Sequence, residues 1–146
     1  MIAPSPATLK WFSALVGVTS LAIFVQAVTA GEFVSQKHRG GWIDAHDIVA
    51  DIVAVLALAT MIFTIVTLRR SSRPILVGTI VLFVLVVVQT ILGHQITDND
   101  QDWLIGVHVP LAFIVFGIAL WLPINSVMLR RAGREGQLTP PRASRG

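Results

Sequence analysis

Two histidines stand where an ionisable side chain is costly. His108 lies in WLIGVHVPLA (103–112), about one and a half turns into an apolar run. His46 lies in GWIDAHDIVA (41–50), again after a tryptophan and a short spacer. An ionisable group inside a segment apolar enough for a membrane marks a functional site by default. Each histidine is preceded by a glutamine in the previous apolar segment. Gln26 lies 20 residues before His46, and Gln89 lies 19 residues before His108. The chain therefore reads as two copies of one helical hairpin, each giving one buried histidine to a shared site. Two imidazoles facing each other across a helix bundle can supply both axial ligands of a haem iron. The chemistry expected is thus bis-histidine ligation of haem b, or of another haem type, by His46 and His108.

The surrounding residues permit this. Ala50, Val53 and Ala57 follow His46 down the helix and are mostly small. Gly106 adjoins His108, and Gly93 is one turn from Gln89 on the same face. Pro110 removes the helical donor of the Gly106 carbonyl, which can tilt the start of that helix. Gln26 and Gln89 either contact a haem edge or join helices by hydrogen bonds. Lys37, His38 and Arg39 form the basic cluster nearest the site. They suit either charge-assisted binding of haem propionates or an ordinary solvated loop. His94 is five residues past Gln89, about 140° round the helix, and is a weaker alternative ligand. Asp51 lies about 140° round from His46, where a proton relay competes with simple solvation. The aspartates around His46 share one helix with no carboxylates opposite, which argues against a carboxylate metal cage. The chain has no cysteine. Disulfides, thiolate metal sites and covalent c-type haem attachment are thereby excluded.

Four helices must position these groups. Of 146 residues, 54% are hydrophobic and 13% charged, and the mean hydropathy is +0.76. Four apolar runs of roughly 20 residues each are long enough to cross a bilayer. Helices are expected at about 9–30, 42–68, 75–95 and 103–129, forming one transmembrane domain over 1–129. Val28-Thr29-Ala30 resembles a signal cleavage site, but the first run is long for a signal peptide and reads as a retained anchor. Residues 130–146 read as a basic, disordered tail.

Charge gives the expected orientation. With the N-terminus inside, nine lysines and arginines fall on the inner side and only Lys37 and Arg39 on the outer. That is a positive-inside pattern with both termini cytoplasmic. Trp42 and Trp103 then fall at the outer interface, Trp11 and Trp121 near the inner one. The expected fold is an all-α, up-down four-helix bundle spanning the plasma membrane, as in a bacterial inner membrane. The pI near 10.6 is explained by topology and by contact with membrane lipid, and not by nucleic-acid binding.

The pattern resembles one half of haem A synthase, a family of two tandem four-helix bundles with haem-binding histidines on the second and fourth helices of each. The resemblance rests on QTILG (89–93), on HVPLA (108–112) and on His46 near the start of the second helix. It covers the four helices of this chain. Small four-helix bacterial membrane proteins share the same half-bundle pattern. The resemblance implies haem-ligand roles for His46 and His108. It does not carry the synthase activity across. The family's helix-2 histidine has a glutamate three residues before it and an arginine after it, whereas here Ile43 and Asp47 hold those positions.

The expected function is a b-type haem protein for electron transfer or haem handling, with a quinone or a respiratory complex as partner. No catalytic residue is assigned. Two other classes compete. One is a structural or accessory membrane subunit whose histidines only join helices. The other is a proton-coupled carrier or pH sensor using Asp51 and the outer histidines.

Overall fold

Proline and serine set the first helix start. Pro6 occupies the first helical turn, where its missing N–H costs nothing, and the Ser5 hydroxyl accepts the Thr8 N–H at 3.1 Å. In the computed structural model, which describes residues 4–37 and 40–138 and side chains as far as 131, four helices follow. They are α1 (Pro6–Ser35), α2 (Gly40–Thr67), α3 (Arg73–Thr97) and α4 (Ile105–Leu138), with a single 3₁₀ turn (Asp102–Leu104) leading into α4. No strand occurs among the described residues. The turn before α4 contains Asp100 at φ 54°, a left-handed position that aspartate tolerates better than most residues.

Each helix is longer than its apolar run. α4 differs most, continuing to Leu138 past the expected end at 129. Arg130, Arg131, Ala132, Arg134 and Glu135 are good helix formers, and no proline follows Pro123 until Pro140. Helix thus replaces the expected disorder over 130–138, while 139–146 lie outside the described residues.

All four helices are long and apolar enough to cross a membrane. The most exposed large apolar side chains include Phe113, Val66, Trp103 and Val34, and all four tryptophans lie on the surface. These features suggest a multi-pass membrane protein. Each helix packs on two others: α1 and α3 each touch α2 and α4, with no contact between α1 and α3 or between α2 and α4. The bundle is therefore a four-cornered one with α2 and α4 on a diagonal.

The burial pattern carries the repeat through both hairpins. Gln26 and Gln89 are 89 − 26 = 63 positions apart, and His46 and His108 are 108 − 46 = 62 apart. Applying the first offset to α1 and the second to α2 pairs buried residues with buried residues. Phe12 falls on Ile75, Val16 on Thr79, Thr19 on Leu82 and Ile23 on Val86. Val53 falls on Val115, Ala57 on Ala119, Thr60 on Leu122 and Thr64 on Ser126. The same inward seam thus recurs in both halves, with residue types exchanged. Thr19 and Thr60 meet at 2.9 Å between hydroxyl oxygens where the second hairpin buries two leucines. Gly78 lies so close under Trp121 that an added Cβ would sit 2.6 Å from the ring. Its repeat mate is Leu15 and that of Trp121 is Ala59, so large and small exchange helices between the hairpins.

Hydroxyl hydrogen bonds join the helices across the bundle. Ser126 donates to the Ser13 hydroxyl at 3.1 Å. Ser20 donates to the Ala119 carbonyl at 2.6 Å. That second bond has a specific cause. Ala119 is four residues before Pro123, which has no N–H to offer, so a hydroxyl from α1 takes the place of the lost helical donor. Ser20→Ala is expected to lower stability by about 1 kcal/mol, read as an earlier midpoint of helix loss in a denaturing-detergent titration. Ser20→Thr should hold the native midpoint. An unchanged midpoint in Ser20→Ala would show that the carbonyl needs no partner.

Candidate functional site

His46 is the seventh residue of α2, in its second turn, and His108 lies in the first turn of α4. Both are at the end of the bundle that carries the α1–α2 and α3–α4 connections. Both are half-buried and lie within electrostatic range of each other. The diagonal placement of α2 and α4 agrees with the order expected for sequentially wound helices.

The surroundings of His46 are fully specified. Its Nδ1 lies 3.1 Å from the Thr29 hydroxyl oxygen, and its Nε2 lies 3.0 Å from Gln26 Nε2. The Thr29 hydroxyl also has the main-chain carbonyl of Gln26 as an acceptor at 2.9 Å. A Thr29 hydroxyl that donates there accepts from Nδ1–H of the imidazole, and the bare Nε2 then accepts the Gln26 amide N–H. Phe33 closes the site edge-on, its ring centroid 5.2 Å from that of His46 at 73°. Gln26, Thr29 and Phe33 all come from α1, at spacings of three and four that share one helix face.

His108 is held differently. Its ring lies over Gly93 of α3, where an added Cβ would be 3.7 Å from Cε1. Its Nδ1 is buried without a hydrogen-bond partner, as are Gln89 Oε1 and Gln26 Oε1. The repeat explains the difference. The residue three after Gln26 is Thr29, while the residue three after Gln89 is Leu92. The second hairpin repeats the glutamine and the histidine but lacks the hydroxyl between them. Polar side-chain atoms with no partner among the described residues are thus gathered at one end of the bundle.

The remaining expected site residues fall outside this cluster. His94 and Asp51 are exposed on the bundle surface. Lys37 is exposed in the α1–α2 connection; His38 and Arg39 lie outside the described residues. Gly106 is exposed, with open space at its Cβ position, and its carbonyl loses its helical donor to Pro110. Thr29 and Phe33 were missed by sequence reasoning, although the spacing Gln-x-x-Thr was a usable signal. Thr29 instead drew notice as part of a cleavage-like tripeptide.

Among the described residues no three or more His, Asp or Glu side chains converge on one point. A two-imidazole haem site is a different arrangement, because the macrocycle supplies the other ligands. Comparison of the chain with protein families, with curated proteins and with solved structures finds no match.

Proposed function

We propose that this chain is a b-type haem protein of the plasma membrane, with His46 and His108 as axial ligands near the outer surface and both termini cytoplasmic. The observation that carries the reading is the repeat-related pair of glutamine–histidine sets gathered at one end of a bundle and left with unpaired buried polar atoms. The donor set fits the group. A His46 imidazole anchored through Nδ1–H by Thr29 would turn its Nε2 lone pair to a metal once the Gln26 amide moved aside. The Gln26 amide that now occupies this lone pair is a single neutral hydrogen bond worth about 1 kcal/mol, which a metal ligand bond exceeds. A diagonal pair of helices also suits a plate between two rings. Neighbouring axes pack about 8–10 Å apart, which sets diagonal axes about 11–14 Å apart.

When bound, haem supplies a one-electron iron couple. The chain's own residues would hold it: His46 and His108 as ligands to the iron, Gln26 and Gln89 beside them, with Lys37 and the sequence candidate Arg39, which lies outside the described residues, as the cations for its carboxylates. Filling both axial positions favours electron transfer or haem handling over oxygen chemistry. A quinone or a respiratory complex is the partner class this implies. The resemblance to one half of haem A synthase supports the ligand roles and does not supply a synthase activity, since Ile43 replaces the glutamate of that family. The test is titration of haem b into the purified protein in detergent. Uptake of one equivalent per chain with a low-spin, split alpha/beta spectrum is the expected result. Unsaturable uptake, unchanged when both histidines are alanine, would argue against it.

One observation favours a second reading. Both ring nitrogens of His46 are satisfied by α1, as they would be in an accessory subunit whose histidine only latches two helices. This reading leaves the unpaired Nδ1 of His108 without an explanation.

A further inference from the structure

We infer that Thr29 is a positioning residue that locks His46 in one tautomer, and that leucine at the matching position, Leu92, leaves His108 unlocked. The two halves of the site are then unequal: His46 is the fixed ligand and His108 the exchangeable one. The second half of this statement rests on the haem reading; the first does not.

The geometry is direct. The Thr29 hydroxyl has the main-chain carbonyl of Gln26 at 2.9 Å as its own acceptor, which leaves its oxygen to accept from Nδ1–H of the imidazole at 3.1 Å. Nε2 then carries the lone pair and faces the Gln26 amide at 3.0 Å. Both contacts come from one face of α1. His108 has neither constraint. Its Nδ1 and the side-chain oxygen of Gln89 have no hydrogen-bond partner among the described residues, so no bond among them selects a tautomer or a ring orientation. A second residue behind a ligating histidine fixes its tautomer and raises its basicity, and loss of such a partner commonly costs 10–100-fold in metal affinity. A ligand without one is the first to be replaced. With haem bound, His108 would be the residue that an added neutral ligand such as carbon monoxide displaces, because nothing among the described residues holds its ring.

The first arm of the test needs no haem. Side-chain nitrogen NMR of histidine-labelled apoprotein in detergent reports tautomers directly. The expected result is a single Nδ1–H tautomer for His46 and an averaged pair for His108. Thr29→Val should bring His46 to an averaged state, Thr29→Ser should restore the single tautomer, and Leu92→Thr should give His108 a single tautomer. The serine variant separates loss of the hydroxyl from damage to the fold. An averaged His46 in the native protein, or a His46 indifferent to Thr29→Val, overturns the inference. The second arm uses ferrous haem-loaded protein. Leu92→Thr is expected to weaken carbon monoxide binding about tenfold, whereas equal binding in the native protein and this variant overturns the exchangeable role of His108. A protein that takes up no haem also overturns that role, through failure of the haem reading, and the NMR arm still decides the role of Thr29.

Discussion

Alanine at His108 should leave haem bound through His46 but convert its low-spin spectrum to a high-spin one. Alanine at His46 should do more, lowering haem affinity by about 100-fold, or roughly 2.7 kcal/mol. The difference comes from the support behind each ring. His46 is anchored at Nδ1 by Thr29, so its removal deletes the ordered half of the site. His108 packs over Gly93 with an unpartnered Nδ1, so its removal deletes the half that is already free to turn. Spectral titration of both variants checks this. Equal loss in the two would mean that the hydrogen bonds of His46 contribute nothing to ligation. Retention of a low-spin spectrum in both would place the ligands elsewhere.

Phe12→Ala should be the most damaging substitution away from the site. Phe12 is fully buried at the opposite end of the bundle and stacks on Phe63 across α1 and α2, with ring centroids 6.4 Å apart and planes within 16°. Phe-to-Ala changes in cores cost about 3–5 kcal/mol. In a bilayer the lower part of that range applies. Lipid is as apolar as the core, so the transfer part of the cost fades and the lost packing remains. The repeat supplies a control, because the mate of Phe12 is Ile75, also buried. Phe12→Ile should cost clearly less than Phe12→Ala, since the equivalent corner of the other hairpin is filled by that side chain. Unfolding midpoints in mixed detergent check the order. Equal midpoints for the two variants would contradict the packing described for this corner.

Much of the architecture was legible from the chain because bilayer length and hydropathy constrain it strongly. Four long apolar runs could become little except four long helices, and the short connections between them give sequential neighbours. The repeat was visible from six residues, Gln26, Trp42, His46, Gln89, Trp103 and His108, because most of its other members are Val, Leu, Ile, Ala and Thr, which any membrane helix contains. Only burial shows that Val53 and Val115, or Thr64 and Ser126, occupy matching inward positions. The interhelical hydroxyl bonds were not legible for the same reason: Ser20 has no sequence signature tying it to Ala119, although Pro123 does announce an unsatisfied carbonyl. The end of α4 was misjudged because basic, glycine-containing composition was weighed above helix propensity. At the site, the histidines stood out by their cost in an apolar setting. Thr29 did not, since threonine is cheap anywhere in a helix of this kind, and its role appears only once α1 and α2 are side by side.

The measurement that tests the central claim most directly is the haem titration of the purified native protein, run beside the variant with both His46 and His108 replaced by alanine. One low-spin haem b per chain in the native protein, absent from the double variant, is the predicted result. A native protein that stays colourless under ample haem, or binds it no differently from the double variant, would contradict the claim and return the two histidines to the role of helix-joining groups.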